Sequence, residues 1–107
     1  MMADLGLEKW DIALARVKFA ECDERKLRPI VVLDEDRYCL IGLYATTQGS
    51  GYHNDYPIKQ WEKAGLRKQT FVRLGLEIEV DKAFVVKKIG RLQEIDIEAI
   101  EGELSAG

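Results

Sequence analysis

Arg28-Pro29-Ile30-Val31-Val32-Leu33 is the stretch that most narrows what this chain can fold into. Four successive apolar, mostly β-branched residues from Ile30 to Leu33 predict a strand buried on both faces, as in a small barrel or sandwich. Pro29 has no N–H to give to a ladder, so it is expected at the strand's first residue. Arg28 then stands one step earlier, where a polar loop enters the core. A guanidinium held at that rim by a rigid element suits a residue that must meet an anion in fixed geometry. An arginine that merely pairs with a surface acid fits the position as well.

At 107 residues the chain has enough material for one domain and one core, spanning residues 1–107. No apolar run approaches the length of a membrane span, and Met1-Met2-Ala3-Asp4 carries no basic region followed by an apolar one. Neither a signal peptide nor an anchor is expected, which predicts a cytoplasmic location. Cys22 and Cys39 could pair, but without metal-ligand spacing and without a leader they read rather as reduced thiols. The formal charge of −3 argues against a generally sticky nucleic-acid binder. Its distribution is uneven, however: from Lys59 to Arg91 nine Lys or Arg face four Asp or Glu, and the segment after Arg91 holds five acids and no base. A polyanion can therefore bind one face while the acidic tail lies elsewhere, and a solvated mixed-charge surface fits the same counts.

Ile12 to Phe19 alternates as a strand whose apolar phase slips near Arg16, predicting a bulge there. Residues 20–28 form the first loop. Asp34 to Arg37 is a turn, and Tyr38 to Ala45 is a second apolar strand that pairs with the first as an antiparallel hairpin. Gly42 inside it predicts a bend or a close backbone approach. Such a hairpin brings Thr46 and Thr47 beside Arg28; because side chains alternate along a strand, only one of them should face the same way. Gln48 to Pro57 reads as an exposed loop whose Tyr52, His53, Asn54, Asp55 and Tyr56 can stack on or bond to an unpaired base. His53, the single histidine, can act as an acid or base near neutral pH; a solvent-exposed loop histidine is the plainer alternative.

Ile58 to Ala64 fits two helical turns stopped by Gly65, with Trp61 packed inward. Lys68 to Leu74 starts a further strand, and Leu76, Ile78 and Val80 alternate with Glu77 and Glu79 as a half-exposed one. Phe84 to Ile89 adds extended chain. Asp96 is expected to cap a final helix that turns Ile97, Ile100 and Leu104 to one side. The sum is mainly β: five to seven strands, one helical turn and a C-terminal helix, in an SH3-like barrel or a comparably small, strongly bent sheet.

Taken in order, Lys9-Trp10-Asp11-Ile12, Arg28-Pro29-Ile30-Val31-Val32-Leu33, Ala45-Thr46-Thr47, Ala64-Gly65-Leu66-Arg67-Lys68-Gln69-Thr70 and Lys88-Ile89-Gly90-Arg91-Leu92, with Asp96, Ile100 and Leu104, resemble the MazF/PemK family of bacterial toxins. The resemblance covers about Trp10 to Leu104. It implies a homodimeric SH3-like barrel that cleaves single-stranded RNA at short sequences without a metal or other cofactor. It also implies a cognate antitoxin whose disordered tail covers the RNA groove. The family's arginine falls on Arg28, and its hydroxyl residue falls on Thr47, or on Thr46 with a shift of one. Two positions depart from the family: Trp10 stands where a glycine usually precedes the first strand, and Tyr44-Ala45-Thr46 replaces a small proline-containing turn.

Attack of an RNA 2′-hydroxyl on its own phosphate needs a proton acceptor, a donor to the phosphorane oxygens and an acid for the leaving 5′-oxygen. Arg28 suits the donor role and Thr47 can hold the phosphate or the attacking hydroxyl. His53 or a phosphate-polarised water completes the set, while Lys26, Thr46, Gln48, Lys68 and Arg73 are candidate substrate contacts. A non-catalytic binding module on the same barrel, such as a CcdB-like topoisomerase inhibitor, or a decayed toxin that only binds antitoxin, is the competing expectation.

Overall fold

In a computed structural model, residues 6–18, 24–48 and 55–106 are described. They form six strands and one helix: β1 (Asp11–Val17), β2 (Lys26–Glu35), β3 (Cys39–Thr46), β4 (Asp55–Pro57), β5 (Phe71–Asp81), β6 (Val85–Arg91) and α1 (Glu94–Ala106). A short 3-10 turn, Lys82–Phe84, joins β5 to β6. The strands make one antiparallel sheet in the order β4-β5-β3-β2-β1-β6. The sheet is barrel-like but not closed, since β4 and β6 do not pair.

β2 lies at the centre of this sheet and is buried on both faces, as its composition predicts. Val31 belongs to a core with Trp10, Ile12, Leu43, Ile58, Val72, Leu92 and Ile100. Its neighbour Ile30 points to the opposite face, against Ala15, Val17, Tyr44 and Val80. The β2–β3 hairpin carries Gly42 opposite Val32. A Cβ on Gly42 would stand 2.5 Å from Ile30 Cγ2 and from the Val31 carbonyl oxygen, so the close approach expected of that glycine is present.

Several boundaries differ from the sequence reading. β2 begins at Lys26, which makes Pro29 its fourth residue rather than its first. The ladder to β1 runs through Pro29, opposite Leu14, whereas the ladder to β3 starts only at Ile30. The missing N–H thus falls where β2 has a neighbour on one side alone. The irregularities of β1 lie between Ile12 and Ala13 and between Leu14 and Ala15, in its pairing with β6, not at Arg16. Asp55 to Pro57 forms β4 instead of continuing the loop, and the stretch from Phe71 to Asp81 is a single strand. Residues 59–65 are a run of turns, not two helical turns. One bond of helical span, Ala64 N–H to the Gln60 carbonyl, is followed by Gly65 at φ +97°, the left-handed stop expected there.

Asp96 does not cap its own helix. It is the third residue of α1, and the backbone carbonyl of Gln93 accepts from the N–H groups of Asp96 and Ile97. The fully buried Asp96 carboxylate instead accepts from the Lys59 and Gln60 N–H groups at 2.8 and 3.0 Å and from the Tyr56 hydroxyl at 2.6 Å. It therefore fastens α1 to β4 and to the 59–65 turn. Ile97 and Ile100 face the core, while Leu104 is exposed.

Trp10 has a buried ring but a backbone φ of +77°. A left-handed conformation costs an L-residue about 1–2 kcal/mol, and glycine nothing comparable. Burial of the indole offsets that cost here.

Candidate active site

Arg28, Thr46, Thr47, Gln48 and Arg73 line one hollow of about 530 Å³, together with Leu27, Pro29 and Tyr44. Five of the residues expected to act together are thus collected by the β2–β3 hairpin and the adjoining β5. The Arg28 side chain is fixed at two points. Its Nε donates to the Tyr44 hydroxyl at 3.2 Å, and its Nη1 donates to the Leu27 carbonyl at 3.0 Å. These use part of a fork of five N–H donors, and the planar group keeps further N–H for an anion in the hollow.

Tyr44 is the residue that the sequence reading passed over. Buried in β3, it supports Arg28 through its hydroxyl while the Arg73 guanidinium lies 5.7 Å from the centre of its ring. The signal was available: Tyr44 and Thr46 are two apart on one strand and share a face, so a tyrosine beneath the site follows from the alternation. Arg73 is also held by charge, with Nε 3.6 Å from Asp55 Oδ1, longer than a hydrogen bond. The buried Asp55 side chain faces Arg73 across the β4–β5 ladder, where the two residues are paired.

Thr46 and Thr47 both line the hollow, contrary to the expectation that alternation would admit one. β3 ends at Thr46, so strand periodicity no longer governs Thr47. Thr46 Oγ1 accepts from the Gln48 N–H at 3.1 Å, which tightens the bend after the strand. The exposed Thr47 also borders a second hollow, shared with Pro29, that contains Lys68. Lys68 therefore stands in the adjoining hollow rather than beside Arg28. Lys26 is exposed on β2, two residues before Arg28 and on the same strand face, but outside the lining of either hollow. Tyr56, expected to meet a base, is turned inward: its hydroxyl donates to Asp96, and burial together with that bond pushes its ionisation far above the ordinary tyrosine range. Tyr52, His53 and Asn54 lie outside the described residues.

Among the described residues, neither hollow has an Asp or Glu in its lining. Among the described residues no group of three or more His, Cys, Asp or Glu converges as a metal-ligand set, and no helix is long and apolar enough to cross a membrane. The arrangement is a shallow cationic trough with hydroxyls at its centre, suited to a chain of phosphates.

The architecture is a barrel-like antiparallel sheet with a C-terminal helix, and on it an arginine, a tyrosine and two threonines surround one open trough. The profile of PemK-like, MazF-like toxins of type II toxin–antitoxin systems matches residues 8–106, and the chain belongs to that family. Among solved structures, the Mycobacterium tuberculosis toxin MazF-mt6 is similar in fold, with a TM-score of 0.71 at 17% identity over 90% of this chain and 93% of that one. No curated protein sequence matches the chain significantly.

Proposed function

We propose that this toxin is a metal-independent, sequence-specific endoribonuclease acting on single-stranded RNA. The observation that carries the reading is the fixed guanidinium of Arg28, braced by Tyr44, in a trough with Thr46 and Thr47. In this reading the RNA 2′-hydroxyl attacks the adjacent phosphorus and the 5′-oxygen leaves, giving 2′,3′-cyclic phosphate and 5′-hydroxyl ends. Arg28 donates to the non-bridging oxygens, which gain charge in the transition state. Thr47, an exposed residue that borders both hollows, holds the phosphate or the attacking hydroxyl, with Thr46, Gln48 and Arg73 as further substrate contacts. The 2′-hydroxyl proton passes to His53 or to a phosphate-polarised water, and the leaving oxygen is protonated in return.

Membership of a type II toxin family supports an antitoxin as the natural partner, and a homodimer as the working form. A cytoplasmic location, where single-stranded mRNA is available, fits a toxin of this family. The test is incubation of the purified protein in EDTA with one sequence made as RNA, as 2′-O-methyl RNA and as DNA. Discrete cuts in RNA alone, with cyclic phosphate ends, are expected. Equal cutting of DNA, or dependence on added metal, refutes the mechanism, and binding to a topoisomerase without any cutting replaces it with the inhibitor reading.

A further inference from the structure

Four neighbouring strands, β4-β5-β3-β2, each give one side chain to a run of contacts that ends at Arg28. The Asp55 side chain of β4 is buried, with its carboxylate 3.6 Å from Arg73 Nε, and the ladder pairs the two residues directly. The Arg73 guanidinium lies over the ring of Tyr44, 5.7 Å from its centre, and the Tyr44 hydroxyl accepts from Arg28 Nε at 3.2 Å. Arg73, Tyr44 and Arg28 line the trough, whereas Asp55 stands behind it.

The backbone explains why Arg73 reaches Tyr44. In the β3–β5 ladder Leu43 pairs with Glu77 and Ala45 with Val72, so Tyr44 alone faces the four residues from Arg73 to Leu76. Extra residues on one strand bend it and re-aim its side chains. Val72 enters the core, and Arg73 turns to the opposite face, over Tyr44. On the other side of β3, Ile30 pairs with Tyr44, which puts Arg28 at the diagonal position on the same face. Among the described residues the buried Arg73 Nε has no hydrogen-bond acceptor within range. Charge and the aromatic face therefore hold this guanidinium, and the charge is that of Asp55.

Resting on the ribonuclease reading above, we infer that Asp55 is a positioning residue for Arg28, acting through Arg73 and Tyr44. Two guanidiniums line one trough and repel each other. The Asp55 carboxylate draws Arg73 toward β4 and offsets its charge. Held there, Arg73 packs against Tyr44 and keeps the hydroxyl of that ring on Arg28. The Arg28 fork then meets the non-bridging oxygens in one orientation, where a small displacement is costly in rate. Without the carboxylate, Arg73 turns to the RNA phosphates: ground-state binding gains while the transition state loses a fixed donor.

The test compares wild type with Asp55→Asn, which keeps the shape and removes the charge, in steady-state cleavage of one single-stranded RNA, with urea midpoints as the check on folding. kcat is expected to fall about tenfold and KM to fall about threefold, a split that a partly unfolded enzyme does not give. Tyr44→Phe should also lower kcat, and adding Asp55→Asn to it should cost less than about twofold more. Glu77→Gln, the same charge change at an exposed position of β5, should leave both constants unchanged. The Nε–H signals of Arg28 and Arg73 in proton–nitrogen correlation spectra, assigned with Arg28→Lys and Arg73→Lys, report the contacts without RNA. Asp55→Asn should move both signals. If it moves that of Arg73 alone, or lowers kcat equally with and without the Tyr44 hydroxyl, the coupling is refuted and the ribonuclease stands. If both signals move and the wild type cuts no RNA, the coupling is upheld and the ribonuclease reading falls.

Discussion

Replacing Asp96 with alanine should unfold this protein more readily than any other single truncation of a polar side chain. The carboxylate is fully buried and accepts from the Tyr56 hydroxyl and from the Lys59 and Gln60 N–H groups, which alanine would leave without it. A stranded donor costs about 1–3 kcal/mol, more when the lost acceptor was charged. Lys59 is exposed and Gln60 half-buried, so water can reach their backbone in part and the lower figure applies. The total is about 3 kcal/mol, a large share of the roughly 5–15 kcal/mol by which domains are stable. With a urea slope of about 1.5 kcal/mol per molar, the unfolding midpoint should fall by about 2 M. Asp96→Asn keeps one oxygen for Tyr56 and Lys59 but turns an amide donor toward the Gln60 N–H, and should lose about half as much. Tyr56→Phe removes one donor and should lose about 1 kcal/mol. A loss below about 1 kcal/mol for Asp96→Ala, or Asn behaving as wild type, would refute the view that this carboxylate ties the helix to β4 and the 59–65 turn.

Three further outcomes follow from local geometry. At position 10 glycine should be less harmful than alanine: both lose about 3–5 kcal/mol of indole packing, but only glycine relieves the φ of +77°. Urea midpoints of the two variants decide it, and a more stable alanine variant contradicts the strain. Gly42→Ala should cost about 1–3 kcal/mol, because its Cβ would meet the Val31 backbone as well as a side chain; an unshifted melting curve would mean that the hairpin yields freely. Burial raises the Asp11 carboxyl pKa, but the Glu8 N–H, Arg91 and Lys88 outweigh it and hold the group below its ordinary 3.8. Its contribution to stability is then complete above about pH 4 and lost as the pH falls through the lower folded value. Urea titrations from pH 6 to 2 should show an acid-labile component that Asp11→Asn lacks, and identical pH profiles would remove Asp11 as its source.

The central hairpin and the grouping of Arg28 with the threonines were legible because they depend on apolar runs and strand alternation. Ile30 to Val32 had one reading, and the pairing partner lay one turn away. What failed was long-range. Asp96 matched a helix cap by residue type, but its partners lie 36 to 40 residues earlier in the chain, and no local pattern reports them. Pro29 suggested a strand start because a sequence does not reveal where a ladder on one side begins. Tyr56 looked available for stacking until the burial of Asp96 gave its hydroxyl a partner. The second threonine was excluded by a periodicity that stops one residue too soon.

The most direct measurement is the rate at which wild type and Arg28→Ala cut the same single-stranded RNA in EDTA, with the ends identified. The account predicts discrete cuts with 2′,3′-cyclic phosphate and a loss of about 10²–10³-fold in rate on removing a guanidinium that stabilises transition-state charge. Folding of the variant is checked by its urea midpoint. Equal rates for the two proteins, or no cleavage by the wild type, would contradict the account.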